Sequence, residues 1–219
     1  MKRCVFIVIM ALFIAGCANS QTAEKPQEAR PHHHGSFEEV AYMHGLPLYY
    51  ETTFADLEPR AETIVRGRMG DDARIIFQYS ELRPNMRITG NNIVSFEVLE
   101  VIRGSIGVGD TIKIAEPYYI IDGVLLTHSN YMPSTPHQEY FFFLLNPLTE
   151  NVPEGYEGAF WVVHGERSRF PVPAADMARD GAFAAYAQAF SAADLGLGTY
   201  ANIELYMSLW QEVIDAYMN

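Results

Sequence analysis

From residue 63 to residue 145 the apolar positions fall in short runs rich in β-branched and aromatic side chains, broken by Gly, Asp, Asn or Pro. Runs of that length and composition predict strands rather than helices. Thr63–Met69 and Arg74–Tyr79 are the first two, with Gly70-Asp71-Asp72-Ala73 as the turn between them. Residues 93–103 form the longest run: Val94, Phe96 and Val98 alternate with Ser95 and Glu97, and the pattern then slips to Leu99 and Val101. A slip of that kind predicts a β-bulge, the device that bends a strand so that a sheet can close. Gly104, Gly107 and Gly109-Asp110 make a loop into a strand over 111–114, and residues 118–127 predict one further strand. Glu139–Leu145 is apolar at every position from Tyr140 onward, which predicts burial on both faces. Residues 159–163 supply a seventh strand, while Gly45 and Pro47 interrupt residues 37–50 and predict irregular structure or a short arm there.

The period changes at the C-terminus, where Ile203, Tyr206, Met207, Trp210, Val213, Ile214 and Tyr217 recur at helical spacing. This stripe predicts an amphipathic helix over 200–218 whose apolar face covers the chain's own barrel. An Ala-rich segment, 176–190, predicts a helix before it, with Asp176 as a cap.

The N-terminus follows a third pattern. Lys2 and Arg3 precede an apolar run from Cys4 to Ala15, and Ile14-Ala15-Gly16-Cys17 ends it in small residues. A basic start, a short apolar core and a small-residue site have the order of a secretion signal. About 12 apolar residues are too few for a permanent span, which needs about 20. Ile14-Ala15-Gly16-Cys17 resembles the lipobox of bacterial lipoproteins. The resemblance implies cleavage after Gly16, a diacylglycerol on Cys17, and tethering outside the cytoplasm. Ala18 at the next position, where Asp would signal retention at an inner membrane, implies the outer membrane in a cell with two. Residues 18–35 are polar without hydrophobic periodicity and read as a tether. The expectation is then one globular domain from 36 to 219, with its barrel at about 55–172.

Composition narrows the partners. Loss of Lys2 and Arg3 leaves 13 basic against 27 acidic residues, a net charge of −14, which a phosphate backbone repels. No Lys/Arg run is suited to anionic lipid heads, so the lipid itself is the expected membrane contact. The only cysteines are Cys4 and Cys17, so no disulfide can brace the domain and its core must hold it.

Three segments in order carry a second resemblance: Ala61-Glu62-Thr63-Ile64-Val65-Arg66-Gly67-Arg68-Met69; Phe96-Glu97-Val98-Leu99-Glu100-Val101-Ile102-Arg103-Gly104 with Gly109-Asp110-Thr111-Ile112; and Glu139-Tyr140-Phe141-Phe142-Phe143-Leu144. Together they resemble the netrin-like domain, the OB-class barrel of tissue inhibitors of metalloproteinases, over roughly residues 55–147. The resemblance implies a mainly β fold, a small closed OB/netrin-like barrel packed by one or two C-terminal helices. It does not imply inhibition, because that family's disulfide-bonded N-terminal Cys lies beside the barrel, whereas Cys17 is about 35 residues away and lipidated.

Motifs for chemistry are sparse. Gly196-Leu197-Gly198-Thr199-Tyr200-Ala201 fits G-x-G-x-x-A but lacks the preceding strand and the following βαβ unit of a dinucleotide site, so it reads as a link between helices. His32-His33-His34, with His44 ten residues on, lies in the tether and reads as solvated linker rather than a metal site. His128, His137 and His164 are isolated, and Asp71-Asp72 and Glu38-Glu39 read as solvated charges. No cofactor is implied. The expected function is a non-catalytic binding module with a protein or glycan partner at the envelope; the alternative is an envelope hydrolase whose residues converge only in three dimensions. Within residues 116–138, Tyr131 and Met132 in a Pro-containing loop are the expected partner contacts, since Tyr and Met are favoured at recognition surfaces.

Overall fold

The computed structural model describes residues 37–43, 53–173, 191, 195, 197–198 and 201–218. The predicted signal, Cys17, the tether, the His32–His34 tract and the helix expected over 176–190 lie outside the described residues. Ten strands follow in order: β1 (Glu39–Met43), β2 (Thr63–Met69), β3 (Arg74–Tyr79), β4 (Arg87–Arg103), β5 (Thr111–Glu116), β6 (Tyr118–Ile121), β7 (Val124–His128), β8 (Glu139–Leu145), β9 (Ala159–Val162) and β10 (Arg169–Pro171). A short helix α1 (Phe54–Leu57) precedes β2, and α2 (Ile203–Tyr217) ends the chain.

The expected barrel is present. β2 pairs with β4, β4 with β5, β5 with β9, β9 with β8, and β8 with β2, which closes five strands into a ring. Within this ring only the β5–β9 pair is parallel. Closure requires sharp bending of β4, and its pairing with β2 shows where this happens. Ile64 faces Arg103 and Val65 faces Val101, then Arg66 faces Glu100 and Gly67 faces Val98, so Ile102 and Leu99 are the two bulged residues. The slip in the hydrophobic pattern at Leu99 is therefore a bulge, as its sequence predicts. Gly67, opposite this bend, has no room for a side chain, because a Cβ there would collide with the Glu97 carbonyl oxygen.

The all-apolar β8 is divided by its own pleat, since successive side chains point to opposite faces. Tyr140, Phe142 and Leu144 enter the barrel, where Phe142 meets Phe96 edge-on at 5.2 Å between ring centroids. Phe141 and Phe143 face outward with Ile64 and Phe170, and α2 covers them with Tyr206, Leu209, Trp210, Val213 and Ile214. The expected helical stripe thus faces the chain's own barrel. Asn202 caps α2 by accepting from the Leu205 amide at 3.0 Å, satisfying one of the orphan donors of the first turn. Trp210 is fully buried, and its Nε1 donates to the Pro171 carbonyl at 2.8 Å, fixing the helix over β10.

Two expectations are corrected. Residues 118–127 form a hairpin, β6 and β7, rather than one strand: Asp122 and Gly123 both adopt positive φ (51° and 80°), the left-handed pair of a tight two-residue turn. Residues 39–43 are strand β1, which runs parallel to β7, with Glu39 opposite Val124 and Met43 opposite His128. These three strands make a second sheet, β1-β7-β6, outside the barrel. β4 also begins six residues earlier than expected, because its first half pairs with β3 as an arm extending from the barrel rim.

Truncating Trp210→Ala removes a buried aromatic and a buried hydrogen bond. The expected loss is about 3–5 kcal/mol, read as a lowered midpoint in urea unfolding with an unchanged slope; a loss below about 0.5 kcal/mol contradicts a core role for α2.

Candidate functional site

The densest polar cluster stands where the barrel, the second sheet and α2 meet. Glu116 ends β5 and Arg169 begins β10, and their side chains are 0% and 1% exposed. Burying two charges costs several kcal/mol per ion unless geometry and further hydrogen bonds compensate. Here they do. Arg169 Nη1 lies 3.6 Å from Glu116 Oε1 and donates to the Met132 carbonyl at 2.9 Å and to Ser134 Oγ at 2.6 Å. Glu116 Oε1 accepts from the Tyr131 hydroxyl at 2.8 Å, from the Ser134 amide at 3.2 Å and from Ser134 Oγ, and Oε2 accepts from Asn92 Nδ2 at 3.0 Å. The guanidinium also lies over the rings of Tyr131, 4.5 Å from its centroid, and Tyr140, 5.2 Å from its centroid. Burial and then the Glu116 charge push the Tyr118 hydroxyl well above its ordinary pKa. Tyr131 is raised likewise, by burial first, with Arg169 opposing. Both phenols stay neutral and can act as donors.

A serine hydroxyl between a carboxylate and a guanidinium has some ingredients of a nucleophilic site. Its surroundings oppose that use. Ser134 is 2% exposed, its proton is held by Glu116, and Tyr118, Tyr131 and Tyr140 enclose the cluster with similarly small exposures. These polar groups are spent on one another, so the arrangement fixes the fold rather than meeting a substrate.

The sequence-predicted contacts lie against this cluster. Tyr131 is fully buried: its hydroxyl holds Glu116, its ring stacks near Tyr118 at 6.4 Å, and its backbone forms an isolated bridge with Leu197. Leu197 and Gly198, from the glycine-rich link, close over the loop, with the Gly198 amide donating to the Asn130 carbonyl at 2.8 Å. A partner arriving at this loop therefore cannot reach the Tyr131 ring. Met132 is partly buried against the Tyr118–Leu125–Tyr131 group and offers only an edge. His137 faces Asp71 at 3.7 Å on the surface, and His128 lies 3.4 Å from Thr89 with its pKa lowered by burial. The three isolated histidines do not converge, and among the described residues no group of three or more His, Cys, Asp or Glu is placed to hold a metal. Asp72 is not simply solvated, because it accepts from the Ser95 amide at 2.8 Å and secures the turn after β2.

The accessible feature is elsewhere. At the tip of the β3–β4 arm, Leu82 is 94% exposed, Ile88 60%, Met86 50% and Tyr79 45%. Half of the eight large apolar side chains exposed among the described residues thus fall within ten positions of one hairpin. Ladder hydrogen bonds hold the hairpin stem, with Gln78 opposite Thr89 and Tyr79 opposite Arg87, so that Ile88 is an outward bulge. The Ser80 amide donates to the Met86 carbonyl at 2.9 Å and the Arg83 amide to the Ser80 carbonyl at 3.2 Å, which closes the turn. Arg87 lies over Phe77 at 4.5 Å, and Phe77 packs edge-on against Tyr119 of β6 at 5.6 Å, so the arm is braced on the second sheet.

No family model matches this chain, and no curated protein matches it by sequence.

Two outcomes follow from the buried charges. Arg169→Met leaves the Glu116 carboxylate uncompensated and is expected to cost about 3–5 kcal/mol. Adding Glu116→Gln should restore part of that, so the double variant falls short of the sum of the two singles in a denaturation cycle; strict additivity contradicts the pairing. Glu166, 4% exposed and 3.8 Å from Arg167, has its pKa raised by burial. A raised folded-state pKa contributes stability below the unfolded value, about 4.3, and loses it as pH climbs through the folded value. Acidification from pH 7 should therefore favour the natural chain relative to Glu166→Gln, and parallel stability–pH curves for the two contradict it.

Proposed function

We propose that this chain is a bacterial lipoprotein, held outside the cytoplasm by lipid on Cys17, whose barrel domain is a non-catalytic interaction module. The exposed apolar tip of the β3–β4 hairpin is the observation that carries the module reading: Tyr79, Leu82, Met86 and Ile88 are large apolar side chains that the fold leaves 45–94% exposed. A collection of that kind on an otherwise charged surface marks a contact site. The Glu116–Ser134–Arg169 cluster supports the same reading, because the arrangement with most of the ingredients of catalysis is enclosed, with the Ser134 hydroxyl engaged by both charges. The anchor rests on the sequence, on the signal-like start and Ile14-Ala15-Gly16-Cys17. A protein or glycan of the envelope, or the membrane itself, is the class of partner; neither a cofactor nor nucleic acid enters the reading, the latter because a net charge of −12, or −14 after the proposed cleavage, repels phosphate.

Cys17→Ser tests the anchor. The hydroxyl cannot replace the sulfur in lipid transfer, so the variant should leave the membrane fraction and appear in the soluble one. Retention in membranes after a high-salt wash contradicts lipid tethering at Cys17.

A further inference from the structure

We propose that the β3–β4 tip is a lipid-contact device, which seats the domain on the same bilayer that anchors it; the proposal rests on the lipoprotein reading above. Three placements lead to it.

The first is direction. Asn92 of β4 pairs with Glu116, the last residue of β5, and β6 follows after Pro117 beside the early half of β4, where Tyr119 packs on Phe77 and against Gly90. The β3–β4 arm and the β6–β7 hairpin thus leave the barrel from one rim. The second is where the N-terminal segment joins. β1 is parallel to β7, its first residue lies opposite Val124 just after the Asp122–Gly123 turn, and the Glu38 amide donates to the Gly123 carbonyl at 2.9 Å. The chain coming from Cys17 therefore enters at the outer end of the β6–β7 hairpin, which leaves the barrel from the same rim as the arm that carries the apolar tip.

The third is chemistry. Twenty peptide units separate Cys17 from Phe37, a reach of at most about 70 Å, so tether length alone does not choose which face meets the membrane. The tip does. Leu82, Met86 and Ile88 are apolar, Tyr79 has the amphipathic ring favoured at membrane interfaces, and Arg83 and Arg87 can keep their charge at the headgroups while their stems lie on the apolar side. Glu81 lies in the tip, and Glu38, Glu39 and Asp122 lie at the β6–β7 turn, so the contact is apolar insertion rather than attraction to anionic lipid. The opposite end of β4, at the 104–110 loop, exposes one large apolar residue, Val108, beside Asp110.

Leu82→Cys provides the test, because Cys4 leaves with the signal and Cys17 is blocked by its lipid, which makes the new thiol the only reactive one. The full lipidated chain, labelled there with an environment-sensitive fluorophore and reconstituted into phosphatidylcholine vesicles, should show a blue-shifted emission that lipid-borne quenchers suppress. The same label at Val108→Cys should stay water-like. Vesicle flotation, read in parallel, reports the anchor. Flotation with a water-like signal at Leu82 overturns the tip contact and leaves the anchor standing. A label shielded only in native membranes, not in protein-free vesicles, assigns the tip to a protein partner and overturns the lipid assignment. Failure of the unmodified Cys17 chain to float overturns the anchor reading, and this proposal with it. Because the anchor supplies most of the binding, Leu82→Ser with Met86→Ser should still float while losing the blue shift of a label placed at Tyr79→Cys.

Discussion

The Glu116–Arg169 pair is the constraint around which the rest of the molecule is arranged. Two charges out of water are tolerated only where close pairing and additional hydrogen bonds offset their lost hydration, and that requirement draws groups from separate parts of the chain to one point. Asn92 comes from β4, Tyr131 and Ser134 from the loop after β7, Tyr140 from β8, and the Met132 carbonyl completes the set. Tyr206 of α2 donates to the Arg169 carbonyl at 2.7 Å, so the helix is referenced to the same residue. Loss of the guanidinium would loosen the link between barrel, second sheet and helix together, which is why a charge rather than another apolar side chain at this junction can specify a single arrangement of the three.

A barrel of five strands is narrow, and this one is filled. Phe96, Phe142 and Tyr140 meet inside with Val65, Val98 and Ile114, all of them buried. A closed ring with a packed interior leaves no ligand chamber along its axis. Contact with other molecules then falls to what extends beyond the ring, and among the described residues the β3–β4 arm is such an extension. The arm can keep its shape outside the barrel because it is a hydrogen-bonded hairpin braced by Phe77 on Tyr119, rather than an open loop. Two strands alone are marginal in water, and the second sheet supplies the missing support.

The barrel strands were legible in the sequence because their signal is local: alternation, a slip where β4 bends, and glycine where the chain turns. The terminal helix was legible for the same reason. What escaped reading was set by partners distant in sequence. β1 is short and interrupted soon after by Gly45 and Pro47, and only the register with β7 makes it a strand. The β6–β7 turn carried a signal that could have been used, since Asp122-Gly123 between Tyr-Ile-Ile and Val-Leu-Leu is the composition of a tight hairpin. Tyr131 looked like a recognition residue because it follows Ser129-Asn130 in a polar loop; its burial is imposed by Glu116 from one side and Leu197 from the other. The usable clue was the pair itself: Glu116 follows Ile-Ala and Arg169 precedes Phe-Pro-Val, charges abutting apolar segments, and charges drawn into a core are seldom buried unless paired.

Anchor and tip also fit one another energetically. Fully burying a large apolar side chain contributes about 1.5–3 kcal/mol, and the four at the tip would enter an interface only in part. Free association costs an estimated 4–15 kcal/mol in translational and rotational freedom, so such a tip cannot by itself hold a protein to a membrane. A domain already confined near the bilayer by lipid on Cys17 has met most of that cost, and for it the same contact becomes an intramolecular step at high effective concentration. On the proposed reading the labour divides: lipid on Cys17 would determine whether the domain is at the membrane, and the hairpin which way it faces. In that arrangement a chain with a net charge of −12 would rest against a membrane without a basic patch, since neither component depends on attraction to headgroup charge. The rim opposite the tip, with the 104–110 loop, would then face away from the bilayer, where it is open to other molecules of the envelope.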